Sequence, residues 1–376
     1  MNVLIAIDSF KGSLSSLQAG NAVREAILRL DHRADITVKP LADGGEGTVE
    51  ALAQGANGEM IELTVTSPLL TPVAARYCIL KDTNTAVIEM AAAAGITLVS
   101  AENRNPLETT TFGVGQLIKD AVERGCRNFI IGIGGSATND GGTGMLAALG
   151  FDFLDQSGNP IPLGAKGLQL LHCIKTDNVL PALKECRFQV ACDVTNPLCG
   201  EMGCSAVFGP QKGATPEMIA AMDRWLEKYA ELSKTVSGKA DKYAAGAGAA
   251  GGLGFAFLSF TNAVLKSGIQ IILEEINLEA AIKNADIVVT GEGRLDSQTV
   301  MGKAPIGVAK LAKKYGKKVI AFSGCVTEDA EICNEHGIDA FFPVLRGVTS
   351  LEEALDPANA YRNLKAAAYQ VFRLLI

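Results

Sequence analysis

Histidine is scarce in this chain. The 376 residues contain three, His32, His172 and His336, far apart from one another. The nine cysteines include no pair at CxxC spacing. A zinc site needs clustered ligands, so zinc chemistry is excluded. An odd number of thiols in a long chain reads as reduced cysteine in a cytosolic protein, not as a disulfide framework. Positive charge is also short: 34 Lys+Arg face 41 Asp+Glu, a net charge of −7. The basic field that supports nucleic-acid or anionic-membrane binding is therefore missing. No run approaches the ~18 apolar residues of a membrane span. The first apolar run, Val3–Ile7, has no basic segment ahead of it and meets Asp8 at once. It reads as a first strand and not as a signal peptide, and the cytoplasm is the expected location.

The chain is 48% hydrophobic, enough to bury a core, and its length suggests two domains. It opens with a β-α-β-α alternation. The strand Val3–Ile7 is followed by a helix with a capping box at Ser15 and Gln18 and an apolar stripe of Val23, Ala26, Ile27 and Leu30. A second strand, Ile36–Lys39, and another short helix follow. The same rhythm returns near the end, with strands at Asp286–Thr290, Val319–Ser323 and Ala340–Val344 and helices at Ile306–Tyr315, Asp329–His336 and Asn359–Leu375. Between them Val73–Leu80 and Ala86–Met90 read as paired strands and Pro216–Lys234 as a helix. The expected fold class is α/β. A Rossmann/flavodoxin-like parallel-sheet domain is built from both chain ends, 1–75 and 280–376, and a second α/β domain, 76–279, is inserted. The ligand is expected in a hinged cleft between the two.

Glycine is abundant: 40 residues, above the usual ~7%. Five clusters fall at the ends of predicted strands: Ala42–Thr48, Gly132–Gly144, Gly246–Gly254, Thr290–Asp296 and Gly302-Lys303. Such loops can turn backbone N–H groups toward an anion, although any one of them can equally serve a tight turn. Two of them echo each other. Asp43 and Asp140 each begin D-G-G-x-G-x-x-x-A-L. The cap reading is slightly ahead for Asp140, and a functional one is favoured for Asp43, with Glu46 beside it. Gly132-Ile-Gly134-Gly135-Ser136-Ala137 satisfies a dinucleotide fingerprint, but Gly246–Gly251 and Gly142–Ala147 match as well, which shows how weak that pattern is. A NAD(P)-dependent dehydrogenase of a small hydroxy acid and a non-catalytic two-lobed carboxylate sensor stand as alternatives. Phosphoryl transfer needs cations for phosphate and carboxylates for Mg²⁺. No G-x-x-x-x-G-K-[ST] occurs, so a P-loop is excluded, yet Lys11, Asp193, Arg294, Asp296 and Lys303 all follow predicted strands or glycines.

At these residues a resemblance becomes specific. DSFKGSLS (8–15), PLADGGEGT (40–48), TTFGVGQLI (110–118), GIGGSATNDGGTGM (132–145), ACDVTNPLCG (191–200), GAAGGLGF (248–255) and VVTGEGRLDSQTVMGKAP (288–305) resemble the bacterial glycerate kinase type 1 family. The resemblance covers essentially the whole chain. It implies a two-domain α/β kinase that uses ATP and Mg²⁺ to phosphorylate D-glycerate, mainly to 2-phosphoglycerate. On this footing Gly134, Gly135, Ser136, Thr138, Asn139, Gly291, Gly293 and Lys303 are expected to cradle ATP, and Asp43, Glu46 and Asp296 to hold the metal. Lys11 supplies charge, Arg294 faces the carboxylate of glycerate, and Asp193, narrowly ahead of Asp43, serves the hydroxyl. The expected partner is the small-molecule substrate, with no nucleic acid and no membrane; a homodimer is compatible with the sequence.

Overall fold

The computed structural model describes residues 1–45 and 47–376. Its strands in chain order are β1 (Asn2–Ile5), β2 (Asp35–Val38), β3 (Gly58–Thr66), β4 (Pro72–Leu80), β5 (Thr85–Glu89), β6 (Asn128–Gly132), β7 (Asp152–Leu154), β8 (Cys173–Lys175), β9 (Arg187–Ala191), β10 (Ala263–Lys266), β11 (Ile287–Leu295), β12 (Lys318–Val326) and β13 (Ala340–Pro343). The chain divides into two compact units. The first comprises Met1–Asp43, Glu50–Asn57 and Ile269–Ile376; the second comprises Gly44–Val49 and Gly58–Gly268.

The first unit holds a five-stranded sheet of order β13-β12-β11-β1-β2, parallel throughout. Numbered within the unit, this is the flavodoxin-like order 2-1-3-4-5, which reverses between β1 and β11. Both faces of such a sheet are covered, so a central strand is apolar without alternation: Val3, Leu4 and Ile5 are all buried. The helix Ser16–Leu30 begins at the expected capping box, with Ser15 Oγ accepting from Gln18 N and the Gln18 side chain accepting from Ser15 N. Its face of Ala19, Ala22, Val23, Ala26 and Ile27 is buried. The Tyr361 hydroxyl and Lys365 Nζ of the helix Pro357–Phe372 both donate to the Glu25 carboxylate. Ser15→Ala removes one half of the box and is expected to lower stability by ~1 kcal/mol. Urea unfolding reads this directly, and an unchanged midpoint would show that the cap contributes nothing.

The second unit holds a six-stranded mixed sheet of order β10-β9-β6-β5-β4-β3 and a small β7–β8 ladder. β10, β9, β6 and β5 run parallel, while β4 and β3 are antiparallel additions. Residues 58–75, expected with the chain ends, therefore belong here. Nine consecutive pairs, from Gly58↔Leu80 to Thr66↔Pro72, zip β3 onto β4. The core of this unit includes Phe129 stacked on its register partner Phe188 at 4.7 Å, and Tyr229 edge-on to Phe255 at 5.3 Å. Among the described residues no helix is long and apolar enough to cross a membrane.

Two glycine clusters have structural explanations. The segment Thr290–Asp296, expected as a loop, continues β11 as far as Leu295, which pairs with Val326. Gly291 lies inside the ladder, where a Cβ would overlap the carbonyl oxygen of Phe322 on β12. The Gly246–Gly254 cluster packs onto the Thr138–Gly142 loop. Ala250, Gly251 and Gly252 take left-handed backbone, Gly251 O accepts from Gly141 N at 2.9 Å, and a Cβ on Gly251 would overlap Thr138 O.

Candidate active site

The first unit concentrates charge where its strand order reverses. Ligand sites of open α/β sheets form beyond the carboxyl ends of the strands at that point. Asp8 lies just past β1, and its N–H donates to Gly291 O of β11 at 2.9 Å. Its side chain is almost fully enclosed, the residue being 5% exposed, and Oδ1 accepts from Ser9 N at 2.6 Å. Burial, reinforced by the neighbouring Asp43 carboxylate, pushes the Asp8 pKa up to about 7; the Ser9 bond and Lys11 oppose this. Lys11 Nζ donates to Asp43 Oδ2 at 3.4 Å. Burial alone would lower the Lys11 pKa, but Asp43, Asp8 and Glu292 hold the ammonium in its charged form and raise it.

A second group sits at the end of β11. The buried Glu292 accepts from Thr299 Oγ1 at 2.8 Å and lies 3.7 Å from Lys303 Nζ. Its pKa is raised by burial, with Thr299 and Lys303 pulling it back. Lys303 Nζ also reaches Asp296 Oδ1 at 3.4 Å, and Arg294 Nε lies 3.3 Å from Asp296 Oδ2. Lys303 is the N-cap residue of the helix Ala304–Lys313. Gly293 brings the end of β11 close to Phe10 and Lys11; a Cβ there would stand 3.4 Å from Lys11 N. The structure thus brings together Lys11, Asp43, Arg294, Asp296 and Lys303 around two acids that were not singled out from sequence, Asp8 and Glu292. Both lie inside motifs that drew notice, DSFKG and TGEGRLD. The overlooked signal was position: each follows directly on a buried β-run. Gly291, expected as a cofactor contact, lies in the ladder against the carbonyl of Phe322, where no Cβ fits. Glu46 lies outside the described residues.

The second unit carries the loop after β6. Gly134 and Gly135 are exposed at its tip, whereas Ser136, Thr138 and Asn139 are buried. Asn139 Nδ2 donates to Ser205 Oγ at 2.8 Å. Asp140 is wholly enclosed and accepts from Thr111 N at 2.8 Å, Thr111 Oγ1 at 2.9 Å, Gly142 N at 3.0 Å, Gly144 N at 3.3 Å and Thr110 Oγ1 at 3.4 Å. Burial raises its pKa against the pull of these donors. Asp140 thus organises the starts of the helices Phe112–Glu123 and Thr143–Ala148, although their N-cap residues are Thr111 and Gly142 and not Asp140 itself, as the cap reading had it. Its echo Asp43 is partly open and paired with lysine, so the shared motif serves two different purposes. Asp193, past β9, is exposed and accepts from Gly268 N at 3.3 Å. Buried Lys212 was not anticipated, because a single lysine in GPQKGAT carries no periodic or motif signal.

Among the described residues no group of three or more His, Cys, Asp or Glu is placed to hold a metal ion. The donors present in the first unit are hard carboxylates interleaved with ammonium groups, which suits anionic oxygen ligands and a divalent cation shared with phosphate.

Comparison with known proteins identifies the family. A profile of the glycerate kinase family matches residues 3–376. The chain is 48% identical to the glycerate kinase of Haemophilus influenzae over 377 aligned residues, covering 100% of this chain and 99% of that one. It is also 48% identical to the glycerate 2-kinase of Escherichia coli K12, covering 99% and 97%. The solved structure of a glycerate kinase 2 candidate from Salmonella typhimurium LT2 superposes with a TM-score of 0.93 at 47% identity, covering 100% of this chain and 98% of that one. The chain belongs to the glycerate kinase family, and as a kinase it is a phosphotransferase that draws on ATP.

Proposed function

We propose that this chain transfers the γ-phosphoryl group of ATP to the 2-hydroxyl of D-glycerate, giving 2-phosphoglycerate and ADP. The observation that carries the reading is the charged cluster of Asp8, Lys11, Asp43, Glu292, Asp296 and Lys303 at the strand-order reversal of the first unit. The choice of the 2-hydroxyl is supported by the likeness to the E. coli glycerate 2-kinase. We place the reaction in the cytoplasm, in keeping with an odd number of cysteines, none at CxxC spacing.

Mg²⁺ fits the donor set. It binds hard oxygen donors, carboxylates together with substrate phosphates and retained waters, which is the chemistry this carboxylate cluster offers. Asp43 and Asp296, with Glu46, are its proposed protein ligands; when bound, it supplies neutralisation of phosphate charge. Lys11 and Lys303 add positive charge for phosphate oxygens, and the fork of Arg294 matches the glycerate carboxylate. The exposed tip of the Gly134–Asn139 loop presents backbone to ATP phosphate. We assign proton acceptance to Asp8 in place of Asp193, because Asp8 is enclosed beside Lys11 with a basicity near neutrality. As the hydroxyl oxygen bonds to phosphorus, its proton passes to the Asp8 carboxylate while ADP leaves with the bridging electron pair.

Phosphorus NMR of a reaction containing ATP, Mg²⁺ and D-glycerate reads both the chemistry and the position. A resonance of 2-phosphoglycerate is expected; 3-phosphoglycerate would overturn the regiochemistry, and no transfer would overturn the reading. Lys11→Ala is expected to lower kcat ~10²-fold, with circular dichroism unchanged because its side chain is 65% exposed. Near-normal turnover in this variant would remove Lys11 from the mechanism.

A further inference from the structure

The loop after β6 is fastened from within by a residue over 70 positions away. Lys212 ends the turn Pro210–Lys212 and is 2% exposed. Its Nζ donates to Ser136 Oγ at 2.8 Å and to Thr138 O at 2.6 Å. These partners are a hydroxyl and a carbonyl, not a carboxylate. An ammonium taken out of water is costly and is usually paired or left outside, so its retention here calls for a reason. On the other side the same loop is held by backbone bonds: Ile96 N donates to Gly135 O at 2.8 Å and Ala137 N to Ala94 O at 2.9 Å. The loop is therefore clamped between the 94–96 segment and the ammonium, and only Gly134 and Gly135 remain exposed at its tip. Thr138 Oγ1 and Asn139 Oδ1, in the same loop, are buried oxygens without a hydrogen-bond partner among the described residues. A buried cation offsets that local excess of oxygen.

We propose that Lys212 is a positioning residue of this kinase. By binding Ser136 and Thr138 from the protein interior, it holds Gly134 and Gly135 in the shape that receives a nucleotide phosphate. The inference rests on the reading that this loop is the phosphate loop. The charge itself takes part, because a cation bound to the loop adds positive potential that attracts an anion to its tip. Burial lowers the pKa of Lys212 to about 8, with the Cys204 thiol and the Asp140 carboxylate, the ionisable groups facing it, opposing the drop. The clamp is thus expected to loosen within reach of ordinary assays as the ammonium loses its proton.

Steady-state kinetics and calorimetric binding of ADP to the full chain test this. Lys212→Met, which keeps the length and much of the volume of the side chain, is expected to raise KM for ATP ~10-fold or more while KM for glycerate stays within ~2-fold. In the unsubstituted protein, ADP affinity is expected to fall as pH rises through about 8. Lys212→Arg, whose guanidinium keeps its proton, is expected to lose that alkaline limb. An unchanged KM for ATP in folded Lys212→Met, or a rise confined to glycerate, would overturn the inference. Should Lys212→Met not fold, the wild-type profile decides: ADP affinity that is flat to pH 9.5 overturns it equally. Gly134→Ala separates this from the underlying reading. The added methyl meets nothing closer than Gly45 Cα at 3.9 Å, so the fold tolerates it, while a phosphate approaching the tip does not. Normal ATP kinetics in Gly134→Ala would remove the loop from phosphate binding. Impaired kinetics there, together with a silent Lys212→Met, would leave the loop in place and remove Lys212.

Discussion

Asp8→Asn is expected to lower kcat ~10²–10⁴-fold, the range for loss of a general base, while making the metal-free protein more stable. The two effects share one cause. Asp8 is enclosed and lies close to Asp43, so burial first, and then repulsion, raises its pKa from 3.8 to about 7. A carboxyl whose folded pKa exceeds its unfolded one holds a proton in the native state that the unfolded chain has already released. The stability it contributes is complete below pH ~4 and is lost as pH climbs through about 7. Above that pH the native state carries the full penalty, ~2–4 kcal/mol for a displacement of this size. Asparagine keeps the shape and carries no charge, so the variant should unfold at higher urea than wild type at pH 8, and the gap should close toward pH 4. Asp193→Asn provides the contrast, since Asp193 is exposed where Asp8 is buried. If Asp193→Asn suffers the larger loss of kcat, proton acceptance belongs to Asp193. If Asp8→Asn is no more stable than wild type at pH 8, the buried-charge account of Asp8 is wrong.

Asp140→Ala is expected to cost ~4 kcal/mol or more, enough to leave the second unit largely unfolded at 37 °C. Its carboxylate is the shared acceptor for the backbone N–H groups of Thr111, Gly142 and Gly144. Truncation leaves these donors without their partner inside the protein, and each stranded donor costs ~1–3 kcal/mol. Asp140→Asn keeps an acceptor oxygen and should lose less. Urea unfolding followed by tryptophan fluorescence is well placed to see this, because the single tryptophan, Trp225, lies in this unit. A loss under ~1 kcal/mol for Asp140→Ala would mean that water replaces the carboxylate, contrary to its full enclosure.

Much of the fold could be read in the residues, for identifiable reasons. The run Val3–Ile7 is apolar because a central parallel strand is covered on both faces. Ser15 and Gln18 announce a helix start through a purely local exchange of hydrogen bonds. β3 escaped notice although Ile61, Leu63 and Val65 alternate with Glu62 and Thr64, a period-2 pattern. Its placement in the second sheet depends on pairing with β4, which is not local. The glycines of 290–296 misled for a related reason. Glycine permits a loop, but it also permits two strands to approach closely, and only the presence of Phe322 O beside Gly291 distinguishes the cases.

The site divides along the same line. Lys11, Asp43, Asp296 and Lys303 are polar residues in loops or at helix caps and stand out against apolar surroundings. Asp8 and Glu292 adjoin the core, Asp8 just past β1 and Glu292 within β11, and their burial is set by packing that is not local in sequence. Lys212 is the extreme case, since its meaning depends wholly on two atoms of a loop over 70 residues earlier.

The contact between the Thr138–Gly142 loop and the left-handed turn at Ala250–Gly252 joins backbone to backbone, with no side chain between to absorb a change. Neither segment can drift alone. A substitution that widens one must be met by a compensating change in the other, so the two stretches should vary as a pair among related sequences. Anyone moving this loop into another scaffold would have to move both stretches together.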